Sequence, residues 1–184
     1  MHRRTIVMAG AAALLASPAF AQSLNSGAAQ AGPAETKHRM DTKRIGTLSL
    51  ALSRVAVEKA QNPAVKEFAQ FEVAEQETVA AVLKSWEGAP ATTGTGAPTD
   101  AQINQELDAK GKAALEKLQA AKAGPEFDRQ YVQDETGGHQ DLLKVQESYL
   151  NAGRMREEVN VAKLIRGMVQ EHLKLLDDAQ KKLG

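Results

Sequence analysis

Residues 131–150, YVQDETGGHQDLLKVQESYL, carry one helical period from end to end. Tyr131, Gly138, Leu142 and Tyr149 recur at the spacing of a single buried helix face. Glu135 and His139 fall on or beside that face near its middle, four residues apart, so their side chains are neighbours. A carboxylate and an imidazole in the middle of an apolar stripe need partners. Either they satisfy one another in a core, or they serve a ligand.

The rest of the chain reads as helix too. Aromatic residues make up 4% of it, and helix formers such as Ala, Leu, Lys, Glu and Gln dominate. No alternating run of β-branched residues suggests a strand. Apolar periodicity predicts helices over 36–61, 63–87 and 125–150, and a last one over 156–183. Pro63, after Asn62, ends one helix and suits the first turn of the next. Gly153 is placed for a left-handed helix cap. A more polar helix over 101–123, with Gly111 as its weak point, lies in the connection after the Gly-, Pro- and Thr-rich loop 88–99. The expected fold is all-α: an antiparallel ferritin-like four-helix bundle, with an additional weaker helix in the connection between the second and fourth helices.

The N-terminus reads as a targeting segment. A short basic stretch with Arg3 and Arg4 precedes an apolar run and then Ala19-Phe20-Ala21, a pattern for cleavage before Gln22. The expected organisation is a signal peptide over 1–21, a flexible leader over 22–35 and a helical domain over 36–184. Arg3-Arg4 leaves a twin-arginine route open beside the general one. Loss of this segment removes two of 23 basic residues and none of 23 acidic ones, leaving a net charge near −2. That balance lacks the basic footprint of a nucleic-acid binder. No stretch after the signal is long and apolar enough to span a bilayer. The expected location is the periplasm, with outer-membrane association and a periplasmic or envelope protein partner left open. Cysteine is absent, which excludes a disulfide framework, thiol nucleophiles and Cys-ligated metals.

If four long helices run antiparallel, their midpoints meet. Ser49, Glu72, Gln76, Glu135, His139 and His172 lie near those midpoints in phase with apolar neighbours. Two readings follow. The residues form a structural polar layer that fixes register, or Glu72, Glu135, His139 and His172 hold a divalent metal ion. No catalytic residue is assigned. Diiron chemistry requires Glu-x-x-His on two helices, whereas Glu135 and His139 are four apart and Val169 stands three before His172. No GxSxG, P-loop or HExxH occurs. His38, near a helix start, reads as solvated, and Trp86 as a packing cap. Gly137-Gly138 reads as a place where a neighbouring helix comes close.

The segments VEKAQNPAVKEFAQ (57–70), PEFDRQYVQDETGGHQDLL (125–143) and EHL (171–173) resemble the domain of unknown function 4142 family. The resemblance covers most of the chain after the signal. It implies an exported bacterial helical bundle of the ferritin-like kind, periplasmic or associated with the outer membrane, without an assigned reaction. The family's Asp-His pair midway along the second helix corresponds to Glu75 and Gln76, so this chain lacks that histidine. The family's acidic residue in the first helix is replaced near Ser49 or Ala51. His139 and His172 match retained histidines. The resemblance therefore implies fewer core ligands here and favours a non-catalytic structural or binding role over a metal-binding or redox one.

Overall fold

The computed structural model describes residues 31–88 and 96–183. The expected signal peptide lies outside them, as does most of the expected leader. The described chain is all-α, with helices α1 (Pro33–Lys59), α2 (Pro63–Trp86), α3 (Asp100–Glu106), α4 (Ala109–Ala120), α5 (Pro125–Ala152) and α6 (Arg156–Lys182). No strand occurs among the described residues. None of their helices is long and apolar enough to cross a membrane.

The leader ends earlier than the sequence suggests. Pro33 occupies the first turn of α1, where its missing N–H costs nothing. The Glu35 carboxylate accepts a bond from Gly32 N–H at 3.1 Å and from Arg154 N–H at 2.9 Å. These bonds bury Glu35 and hold its carboxyl below the usual range. A segment of low hydrophobicity is thus ordered by one charged side chain that caps its own helix and grips the start of the last.

α1 packs on α2 and α5, α5 packs on α6, and α2 meets α6 more sparsely. The α1–α2 link is fixed from both sides. Asn62 Oδ1 accepts from Ala64 N–H at 2.9 Å and caps α2. The Asp128 carboxylate accepts from the N–H groups of Gln61, at 3.2 Å, and Asn62, at 2.8 Å. One turn on, Tyr131 Oη lies 2.8 Å from Ser53 Oγ. The Asn-Pro and Phe-Asp-x-x-Tyr segments therefore meet in space.

The weaker connecting helix is two short ones. Leu107 is extended at the end of α3, and Asp108 Oδ1 accepts from Gly111 N–H at 2.7 Å to start α4. The break thus falls at an N-cap rather than at Gly111. Ile103, Leu107 and Leu118 are buried and hold the pair on the body.

Two apolar layers bracket the middle of the long helices. One gathers Leu52, Val65, Phe68, Phe127, Tyr131, Val132 and Leu176. The other gathers Ile45, Leu142, Ile165 and Val169. Burying side chains of this size contributes about 1.5–3 kcal/mol each. Between the layers, every long helix turns a polar residue inward: Ser49, Glu72 with Gln76, Glu135 with His139, and His172.

Three local expectations are corrected. His38 is buried, not solvated. Its Nδ1 lies 2.8 Å from Glu158 Oε1, its Nε2 lies 2.8 Å from Gln146 Oε1, and its ring stacks on Tyr149 at 4.1 Å. Gly153 has φ −65° and is no left-handed cap. It is small because an added Cβ would sit 2.4 Å from the Tyr149 ring. At Gly137 and Gly138 an added Cβ would meet nothing within 4 Å, so no neighbouring helix approaches there. Trp86 is half-buried at the end of α2, and the Arg39 guanidinium lies 5.2 Å from its ring centre.

Candidate metal centre

Glu72, Glu135, His139 and His172 all come together between the two apolar layers. Three of their atoms converge. His172 Nδ1 lies 2.9 Å from Glu72 Oε2, His139 Nε2 lies 3.3 Å from the same oxygen, and the two nitrogens are 3.1 Å apart. A point about 2.1 Å from all three, an ordinary ligand distance for a first-row divalent ion, lies about 1.1 Å off their plane. The spacing is that of three ligands on one face of a coordination sphere.

The other atoms of these side chains are engaged. His139 Nδ1 donates to the Glu135 backbone carbonyl at 2.8 Å, which can only accept. Its Nε2 therefore presents a lone pair whenever the ring is neutral. His172 Nε2 lies 2.6 Å from Glu75 Oε2, although no hydrogen bond joins the two. Glu72 Oε1 accepts from Ser49 Oγ at 2.6 Å and from Gln76 Nε2 at 2.8 Å. Of the Glu72 carboxylate, Oε2 is left over. The Phe68 ring stands edge-on to both imidazoles, at 5.9 Å from His139 and 5.3 Å from His172, and makes that side of the cluster apolar.

Glu135 stands behind the triangle instead of in it. Its Oε2 lies 3.4 Å from His139 Nδ1, the nitrogen turned away from Glu72. Ser49 Oγ is also 2.6 Å from Glu135 Oε2. One hydroxyl has one proton and cannot donate to two carboxylates. Burial, followed by repulsion from Glu72, pushes the Glu135 carboxyl up to about 8. A proton on Glu135 donating to Ser49, which in turn donates to Glu72, satisfies the chain.

Burial opposes charge on Glu72, but His139 and His172 hold its carboxyl well below the usual carboxylate range. Burial also opposes charge on His139, yet Glu72, with help from Glu135, pushes it up to about 9. Burial raises the Glu75 carboxyl above its usual range despite the nearby His172.

Among the described residues, the buried side-chain oxygens without a hydrogen bond are Glu72 Oε2, Glu75 Oε2 and Glu135 Oε1, all in this cluster. Both imidazoles are within 3.3 Å of Glu72 Oε2, but neither aims an N–H at it.

The sequence matches the family described as "Domain of unknown function (DUF4142)" over residues 21–179. The chain belongs to this family. No curated protein and no solved structure matches it. The DUF4142 match spans both diagnostic segments, Asn62-Pro63 and Phe127-Asp128-x-x-Tyr131, which the Asp128 bonds tie together. The family description assigns no function, so the chemistry of this member rests on its own residues.

Ser49, placed in the layer by its phase, is the link between the two carboxylates. Several other residues are not evident from motif reading: Glu75 lies 2.6 Å behind His172. At the far end of the helices, Glu35, Gln146 and Glu158 join His38 in a buried network. A phase signal for these residues does exist. Positions 35, 38, 42, 45, 49 and 52 share one helix face, and 158 is in phase with 162 and 165.

Proposed function

We propose that this protein binds one first-row divalent metal ion through Glu72 Oε2, His139 Nε2 and His172 Nδ1. On this reading the chain is an exported, periplasmic ferritin-like four-helix bundle, and its mid-helix layer is a metal site. The observation that carries the proposal is Glu72 Oε2: a fully buried carboxylate oxygen with two imidazole nitrogens beside it and no N–H directed at it. A buried charge in that state costs several kcal/mol unless a cation meets it. Oxygen and imidazole ligands without sulfur suit zinc, iron(II), manganese(II) or copper(II). Ser49, Gln76 and the Glu135 carbonyl hold the ligands in orientation, as supporting groups do around metal histidines, and Glu75 Oε2 lies 2.6 Å behind His172. Three protein ligands leave positions for water or a small molecule.

A second reading has support of its own. The pKa of about 9 at His139 lets a proton supply the missing positive charge, and the cluster then serves only to fix helix register. Elemental analysis separates the two. The mature protein, purified without chelator and offered zinc, iron, manganese and copper in turn, is expected to hold about one ion per chain, and the His139→Ala variant none. Absence of metal from both proteins establishes the structural layer instead.

A further inference from the structure

The ligand side chains are shielded: Glu72, His139 and His172 are 0, 2 and 3% exposed. Ser49, Gln76, Glu135 and Phe68, which surround them, are buried as well. Glu75 differs. Its side chain is 39% exposed, yet its Oε2 is buried, has no hydrogen bond and lies 2.6 Å from His172 Nε2. It reaches from solvent to the back of a ligand imidazole. Glu75 is also three residues from Glu72 on α2, so the two carboxylates are adjacent on one helix. Exposed Glu171, next to His172 on α6, is close enough for its charge to act on Glu75. The seam they occupy, between α2 and α6, is the least closely packed of the contacts between adjoining long helices.

One other opening comes near the cluster. A cavity of about 280 Å³ between α1, α2 and α3 is bordered by Gln76. Lys43 and Lys84 line it together with Glu87 and Glu106. The side of the cluster it approaches is Glu72 Oε1, which Ser49 and Gln76 already occupy. That opening has balanced charge, with Lys43 paired to Glu106 at 2.9 Å, and offers no free ligand atom, whereas the α2–α6 seam presents two carboxylates leading toward a free one.

We propose that Glu75 is the port by which a divalent cation reaches the buried ligands. The ion is held first at the seam by Glu75 and Glu171, and passes to Glu72 Oε2 as the His172 ring turns aside. This inference rests on the metal-binding reading above. It makes Glu75 a residue that sets the rate of uptake, beyond any part it takes in orienting His172.

The test is stopped-flow mixing of metal-free protein with cobalt(II), followed by the visible absorption of the bound ion. In Glu75→Gln the association rate constant is expected to fall at least tenfold and to lose much of its dependence on ionic strength, with one cobalt still bound per chain at saturation. Glu106→Gln, at the rim of the cavity, is expected to leave the rate unchanged. An unaltered association rate in Glu75→Gln, with any loss of affinity carried by faster dissociation, overturns the port. So does slowed uptake in Glu106→Gln. Complete loss of binding in Glu75→Gln makes it a ligand and overturns the port as well. Failure of the unmodified protein to bind cobalt is a different result, because it removes the metal-binding reading itself.

Discussion

His139 Nε2 and His172 Nδ1 face each other across 3.1 Å, His139 with its other nitrogen bonded to the Glu135 carbonyl and His172 with its other nitrogen 2.6 Å from Glu75 Oε2. When a metal ion takes the place of the proton, the two nitrogens present two lone pairs to one small space, with Glu72 Oε2 as the third wall. A positive charge there stabilises all three. The consequences below follow from which groups hold that geometry.

Gly46 makes room for Gln76. An added Cβ would sit 2.5 Å from Gln76 Oε1 and push away the amide that donates to Glu72 Oε1. Alanine in a helix interior is otherwise favourable by up to about 1 kcal/mol over glycine. Gly46→Ala is therefore expected to weaken metal binding by about tenfold or more while costing little stability. Cobalt titration beside urea unfolding checks both. Unchanged affinity would show that Gln76 does not support the site.

Ser49→Ala removes the hydroxyl that joins Glu72 to Glu135. Both oxygens lose a buried partner, a loss of about 1–3 kcal/mol. Urea unfolding of the metal-free variant is expected to show a lower midpoint with an unchanged slope. The loss should be greater at pH 8 than at pH 5, because a charged Glu135 then faces Glu72 without a bridge.

The metal-free protein should be most stable near pH 5. Glu135, raised from 4.5 to about 8, binds more protons folded than unfolded between those values, so its contribution falls as pH rises through them. His139, raised from 6.5 to about 9, contributes fully below 6.5 and loses that contribution as pH rises through 9. Glu72 is shifted the opposite way, so its contribution is present above 4.5 and is lost on acidification. Thermal unfolding from pH 4 to 9 should therefore show a maximum and an alkaline decline. Bound metal should flatten the decline, since it replaces the proton. An alkaline limb that is flat without metal would contradict these shifts.

Gly137 is exposed in the middle of α5, with nothing within 4 Å of an added Cβ. Gly137→Ala is expected to stabilise the protein by about 0.5–1 kcal/mol, seen as a higher urea midpoint. Destabilisation would contradict the open surroundings of this position.

These glycines mark the limit of what periodicity can tell. Period alone places the long helices and puts Glu72, Glu135, His139 and His172 on inward faces, because one apolar stripe per helix fixes phase. It cannot tell which of four inward atoms share a vertex. Glu135 and His139, four apart, read as a ligand pair, yet His139 turns its Nε2 away from the Glu135 carboxylate and gives its Nδ1 to the Glu135 carbonyl. His38 has the phase of a core residue, but its partners Glu158 and Gln146 lie more than a hundred residues away. No local pattern joins them. Gly153 and Gly137 look alike in sequence, and only the Tyr149 ring beside one of them separates a packing requirement from an open site.

The most direct measurement is a crystal structure of the protein soaked in zinc, with diffraction recorded on both sides of the zinc absorption edge. The expected result is one anomalous peak between α2, α5 and α6, about 2.0–2.2 Å from Glu72 Oε2, His139 Nε2 and His172 Nδ1, with Glu135 outside bonding distance. Density for zinc only at surface carboxylates, with the Glu72, His139 and His172 side chains as close together as before, would contradict the metal centre and leave a proton in its place.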